Sequence, residues 1–176
     1  MKVFAVLFLL TISNLALAQE TDSVEADIPE LDKRGGFQDI KLNTDISEYS
    51  DLEYKKDIKD ELFPGAKLYV RKKGAYSSIG RVPIENLEVY TYKDLIYKII
   101  IVSEKDPAIY QGLSNNFGKN QYNHREKAYY WKTKKIRLYF KSGKKNELIL
   151  EYYSYVIHNM RTEEIKKSYT DVADDF

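Results

Sequence analysis

Aromatic rings beside cations offer a ligand two kinds of hold: a flat face for a sugar or an apolar group, and a charge for an anion. Tyr129, Tyr130 and Trp131, followed at once by Lys132, Lys134 and Lys135, are the densest such stretch of the chain. They lie in a basic region from Lys119 to Lys145 whose only acidic residue is Glu126. Tyr129, Tyr130, Trp131, Lys132 and Lys134 are therefore the candidate binding residues, suited to a glycan, an anionic polymer or a protein surface. The competing reading carries more weight, because β-rich domains use tyrosine and tryptophan heavily for packing alone. In that reading the rings fill a sheet and the lysines solubilise its corner.

Catalytic chemistry finds little to work with. His124 and His158 are the only histidines, far apart and outside any H-E-x-x-H frame, so both read as exposed polar residues. Ser114 sits in Gly112-Leu113-Ser114-Asn115-Asn116, lacks the second glycine of a nucleophile elbow and reads as a surface serine. Neither G-x-G-x-x-G nor a P-loop occurs, which argues against a standard nucleotide site. A glycosidase needs two carboxylates facing one another across a sugar. Glu88 and Glu151, each on an expected strand, are the pair to consider, although isolated strand carboxylates are more often solvated or paired with lysine. Asp171, Asp174 and Asp175 lack calcium-loop spacing and read as a solvated tail.

The elements that would position these residues follow from periodicity and punctuation. Phe37 to Leu42 opens as a strand, and Asp45 with Glu48 three residues on resembles a helix cap ahead of Ile46, Tyr49 and Leu52. The charged stretch Glu53 to Leu62 reads as helix extension or loop. Strands are expected over Lys67 to Arg71, Ile79 to Val82 and Leu87 to Tyr92, the last turning at Lys93-Asp94 into Leu95 to Val102. Leu95 to Val102 is apolar on both faces and belongs in the middle of the sheet. Asp106, Pro107 and Gly118 bracket the clearest helix, with Ile109, Leu113 and Phe117 as its buried stripe.

Parity then constrains the basic stretch. One regular strand over residues 129–140 would put Lys132 and Lys134 on the same face as Ile136, Leu138 and Phe140, driving ammonium groups into the core. A turn over residues 132–135 resolves the conflict, leaving strands Tyr129 to Trp131 and Ile136 to Phe140 with the lysines at an exposed corner. A long strand is expected over Glu147 to Ile157, and a final helix from Thr162.

Lys2, the apolar run Val3 to Leu10 and Ala16-Leu17-Ala18 form a secretory leader over residues 1–18, cleaved after Ala18. Its apolar run is too short for a membrane helix, so none remains after cleavage. The location implied is periplasmic or secreted, where nucleic acid is not an expected partner. The formal charge of +1 falls to zero once Lys2 leaves. Without cysteine the fold has no disulfides. Residues 19–36 carry acids with few large apolar groups and read as a disordered linker, with Gly35-Gly36 as its hinge.

Gly36-Phe37-Gln38-Asp39-Ile40-Lys41-Leu42, Leu95-Ile96-Tyr97-Lys98-Ile99, Phe117-Gly118-Lys119 and the Trp131 strand followed by Ile136-x-Leu138 resemble uncharacterised small exported proteins of Gram-negative bacteria. The resemblance spans most of residues 36–157; Asn43 stands where a glycine would follow the opening strand. It implies a fold and a location and assigns no activity or site residue. Together these readings give an α+β chain with one domain over residues 37–176, its C-terminus frayed, built on a mostly antiparallel sheet of about five to seven strands with two or three helices. Its function is a cofactor-free, exported binding or interaction module for an unknown envelope or extracellular protein. Polysaccharide or anionic-polymer binding through the Trp131 region is the first alternative, and a hydrolase of unknown type the second.

Overall fold

The computed structural model describes residues 28–173, so the leader and its cleavage point at Ala18 lie outside the described residues. Of the linker expected over residues 19–36, residues 19–27 also lie outside the described residues, and residues 28–36 are not a linker. From Ile28 the chain is folded, with a short helix α1 (Pro29–Arg34) started by proline and closed by Gly35 in the left-handed region. Leu31 of α1 is fully buried, which is what holds this acidic segment on the domain. Gly36 is no hinge either. It opens the strand β1 (Gly36–Phe37), which turns back into β2 (Ile40–Lys41), and a Cβ added to Gly36 would lie 2.1 Å from the Ile40 carbonyl oxygen.

Asp45 does cap, but what it caps is a single 3-10 turn, Ile46–Glu48, with the Ser47 N–H donating to its carboxylate at 2.8 Å. The charged stretch beyond it is neither helix nor loop at its start; it forms an edge strand, β3 (Leu52–Asp57). The chain continues through β4 (Lys67–Arg71), β5 (Ser78–Ile79), β6 (Val82–Tyr92), β7 (Leu95–Glu104), α2 (Pro107–Phe117), β8 (Gln121–Asn123), β9 (Ala128–Lys132), β10 (Ile136–Ser142), β11 (Glu147–Ser154) and α3 (Tyr155–Ala173).

The fold is α+β, with a nine-stranded antiparallel sheet in the order β3-β4-β6-β7-β11-β10-β9-β8, β5 pairing with the start of β6. The edge strands β3 and β8 and the two-residue β5 raise the strand count above the sequence expectation. β7 sits in the middle as its apolar pattern requires, and Lys93 and Asp94, both at positive φ, form the tight turn leading into it. Asp106 caps α2 by accepting from the Ala108 N–H at 2.8 Å. Ile109 and Phe117 are buried, while Leu113 is only partly so.

The parity argument holds at β9 and β10. Thr133 makes the corner, its hydroxyl oxygen accepting from the Lys135 and Ile136 N–H groups at 3.1 and 3.0 Å and its hydroxyl donating to Asp32 of α1 at 2.6 Å. The last helix starts at Tyr155 instead of Thr162, because the Ser154 hydroxyl takes the Ile157 N–H at 3.1 Å and ends the strand there. The aromatic and β-branched run through Val156 and Ile157 reads as strand until that cap is recognised.

One face of the sheet carries the main core. Leu87, Val89, Ile99, Ile101, Leu138, Leu150 and Trp131 pack there beneath α1, the β1–β2 hairpin and α2. At one end of the opposite face, Phe63, Ala66 and Ile157 close over Tyr92 and Tyr97, with Phe63 stacked on Tyr97 at 4.2 Å. No helix among the described residues is long and apolar enough to cross a membrane.

Candidate functional site

Residues directly opposite one another in an antiparallel ladder share a face, so the register places side chains in rows across the sheet. On the face opposite α1 and α2, one row runs Tyr90, Lys98, Tyr153, Arg137 and Lys132 from β6 to β9. The next runs Glu88, Ile100, Glu151, Tyr139 and Tyr130. A third contains Val102, Ile149 and Lys141. Beyond the Phe63 cluster this face is a surface of tyrosines interleaved with long cations.

The cations lie on the rings. Lys98 Nζ is 4.0 Å from the Tyr90 centroid, and the Arg137 guanidinium is 4.3 Å from Tyr139 and 5.1 Å from Tyr153. Lys132 lies 5.3 Å from Tyr155, at the start of α3. Burial holds Lys98 below the usual lysine range, opposed by the fields of Glu151, Asp60 and Glu88. Burial likewise pushes the Tyr153 hydroxyl up to about 12, partly countered by Arg137. Tyr90 is raised by burial and by its hydrogen bond to Glu88, so these hydroxyls stay neutral at ordinary pH, that of Tyr90 donating to Glu88.

Glu88 and Glu151 both stand opposite Ile100, and so share this face two strands apart, with Cα atoms roughly 10 Å from one another at ordinary strand spacing. Both are already engaged. Glu88 accepts from the Tyr90 hydroxyl at 2.7 Å and the Asn86 amide at 3.2 Å, and Glu151 pairs with Lys141 at 3.0 Å and Arg137 at 3.7 Å. They are knitted into the face by these partners.

The five sequence candidates do not converge. Strand alternation sends Tyr130 and Lys132 to the tyrosine face, while Tyr129 and Trp131 point to the helix side. Trp131 is 1% exposed, its indole N–H donating to the Gly118 carbonyl at 2.9 Å and its ring packed by Phe117 and Tyr110, so it presents no surface to a ligand. Tyr129 joins Tyr122 at the sheet edge, ring centroids 5.0 Å apart, and Lys134 is exposed at the corner.

Sequence reasoning missed Lys98, Arg137, Tyr139 and Tyr153 as site residues. The available signal was Lys98 itself, the one charge inside an otherwise apolar central strand. His158 hydrogen-bonds the Tyr153 hydroxyl at 2.8 Å, and His124 lies against the Tyr122 ring. Ser114 is less exposed than expected, its hydroxyl oxygen sealed within the structure. Among the described residues no three metal-ligating side chains cluster. Comparison with known proteins returns no match: no family model fits the chain, and no curated protein or solved structure is significantly similar to it.

Proposed function

We propose that the protein is an exported, non-catalytic binding module, periplasmic or secreted, whose tyrosine face holds an anionic polysaccharide. The observation that carries this reading is the row of Lys98, Arg137 and Lys132 alternating with Tyr90 and Tyr153, flanked by Tyr130, with the buried Tyr139 ring under Arg137. A sugar ring offers C–H faces to tyrosine, and uronate or sulfate groups are attracted by the lysine and arginine charges. On β6 to β11 of this face Lys98, Lys132, Arg137 and Lys141 outnumber Glu88 and Glu151, so an anion is favoured over a cation. The polymer-binding alternative thus moves from Trp131 to the opposite side of the same strand.

A second reading rests on the half-buried strip Ile100, Val102 and Ile149 beside these rows, which suits a protein of the envelope. The test is retention of the full chain on immobilised polygalacturonate, with dextran as the neutral control, between low and high salt. Salt-sensitive retention is expected, lost in Lys132→Glu/Arg137→Gln and kept in Lys134→Glu, whose site lies off the face. Equal loss in both variants, or retention on dextran, refutes the polysaccharide; capture of one envelope protein that the double variant abolishes supports the second reading.

A further inference from the structure

On the other side of the sheet α1, the β1–β2 hairpin and α2 do not close completely. They leave a cavity of about 370 Å³, within the size range of small-molecule sites. Phe37, Ile109, Leu113, Phe117 and Leu150 supply apolar lining. Two polar groups stand out against it.

The first is Tyr152 of β11, 4% exposed, whose hydroxyl has no hydrogen-bonding partner among the described residues. Buried tyrosine hydroxyls ordinarily find one. The sealed, unpaired side-chain polar atoms of the described residues are Thr91 Oγ1, Ser114 Oγ and Arg137 Nε. The Tyr152 hydroxyl is not among them, so it is not fully sealed, and Tyr152 lines the cavity. Burial keeps it neutral and donating.

The second is Arg34, at the end of α1 and half exposed. Its Nε donates to Glu30 at 2.8 Å and its Nη2 to Asn116 at 2.7 Å, which fixes the guanidinium beside the cavity and leaves Nη1 without a partner among the described residues. Arg34 is also the charge whose field acts on Tyr152. An apolar cavity holding an unmet neutral donor and a fixed cation selects for an apolar body with an anionic, hydrogen-bond-accepting head.

We propose that this cavity binds a small apolar carboxylic acid, its hydrocarbon body among Phe37, Ile109, Leu113 and Phe117 and its carboxylate met by Arg34 and the Tyr152 hydroxyl. The site lies on the opposite side of the sheet from the tyrosine face and does not depend on it. Gly112 of α2 provides a clean block: it lines the cavity, and a Cβ added there meets nothing within 4 Å.

The test is calorimetric titration of the full chain with decanoate, decan-1-ol and decylamine. Saturable decanoate binding is expected, with decan-1-ol weaker by about tenfold or more and decylamine silent. Arg34→Gln should weaken decanoate by a similar factor. Tyr152→Phe should weaken it several-fold while leaving the unfolding midpoint equal or higher, since its hydroxyl has no protein partner to lose. Gly112→Leu should abolish binding with the circular dichroism spectrum intact and polygalacturonate retention unchanged. No saturable heat with decanoate, equal affinity for all three probes, or decanoate binding untouched by Gly112→Leu overturns the proposal.

Discussion

Trp131 is where packing and ligand binding make opposite demands on one side chain, so its substitution separates them. A buried tryptophan removes about 150–250 Å² from water. At about 25 cal/mol per Å² that is worth roughly 4–6 kcal/mol, and truncation to alanine in a core costs about 3–5 kcal/mol. Trp131→Ala also strips the Gly118 carbonyl of its donor, at the end of α2. Trp131→Phe keeps a ring between Phe117 and Tyr110 and loses chiefly that hydrogen bond, so about 1–3 kcal/mol is expected. Against a typical total of about 5–15 kcal/mol, the alanine variant approaches the limit of folding and the phenylalanine variant does not. Urea unfolding followed by far-ultraviolet circular dichroism measures both, since the single tryptophan that would report by fluorescence is the residue removed. In the wild type its emission should be blue and unmoved by polygalacturonate. An alanine cost under about 1 kcal/mol would refute the packing argument, as would a folded Trp131→Phe that no longer binds the polymer.

Lys98 and Gly36 give two further tests. Lys98→Met loses a cation–π contact of about 0.5–2 kcal/mol but also relieves the burial of a charge with no ion pair among the described residues, so equal or higher stability is expected at pH 7 together with weaker polymer retention. Because the folded Lys98 releases its proton at lower pH than an unfolded lysine, the wild type gains on the variant as pH rises toward the ordinary lysine value. Urea midpoints at pH 7 and pH 10 check this, and a wild type that gains nothing relative to the variant between them refutes it. Gly36→Ala forces its methyl onto the Ile40 carbonyl and should cost at least about 1–3 kcal/mol, whereas Gly112→Ala, in open space on a helix, should gain about 0.5–1 kcal/mol; thermal melts showing similar shifts for both would contradict the geometry.

What the sequence made legible was local. Asp106, Pro107 and Gly118 announce α2 by cap chemistry, and parity alone puts the corner at residues 132–135, because the alternative buries ammonium groups. β3 was hidden because edge strands tolerate charge on both faces, so Glu53, Lys55 and Lys56 leave no alternation to read. The start of α3 was hidden for the opposite reason: Tyr155, Val156 and Ile157 favour strand by propensity, and one serine hydroxyl overrides them. α1 was missed because six residues with four charges bury a single leucine.

The site was harder to read because it is a property of register. Lys98, Tyr153 and Arg137 lie far apart in the chain and become neighbours only when β7, β11 and β10 pair. Yet β7 and β11, apolar on both faces, demand that something cover each side; α1 and α2 cover one, and α3 reaches only one end of the other. Over the rest of that face, tyrosines and long cations act as the missing layer, their rings and aliphatic stems packed on one another and shielding Ile100 and its neighbours. In a sheet protected in this way the proposed binding chemistry belongs to the same side chains that cover the strands. Packing and the proposed ligand contact, set against one another for a single stretch of sequence, thus fall to alternate residues of the same strand, Tyr129 and Trp131 on one face and Tyr130 and Lys132 on the other.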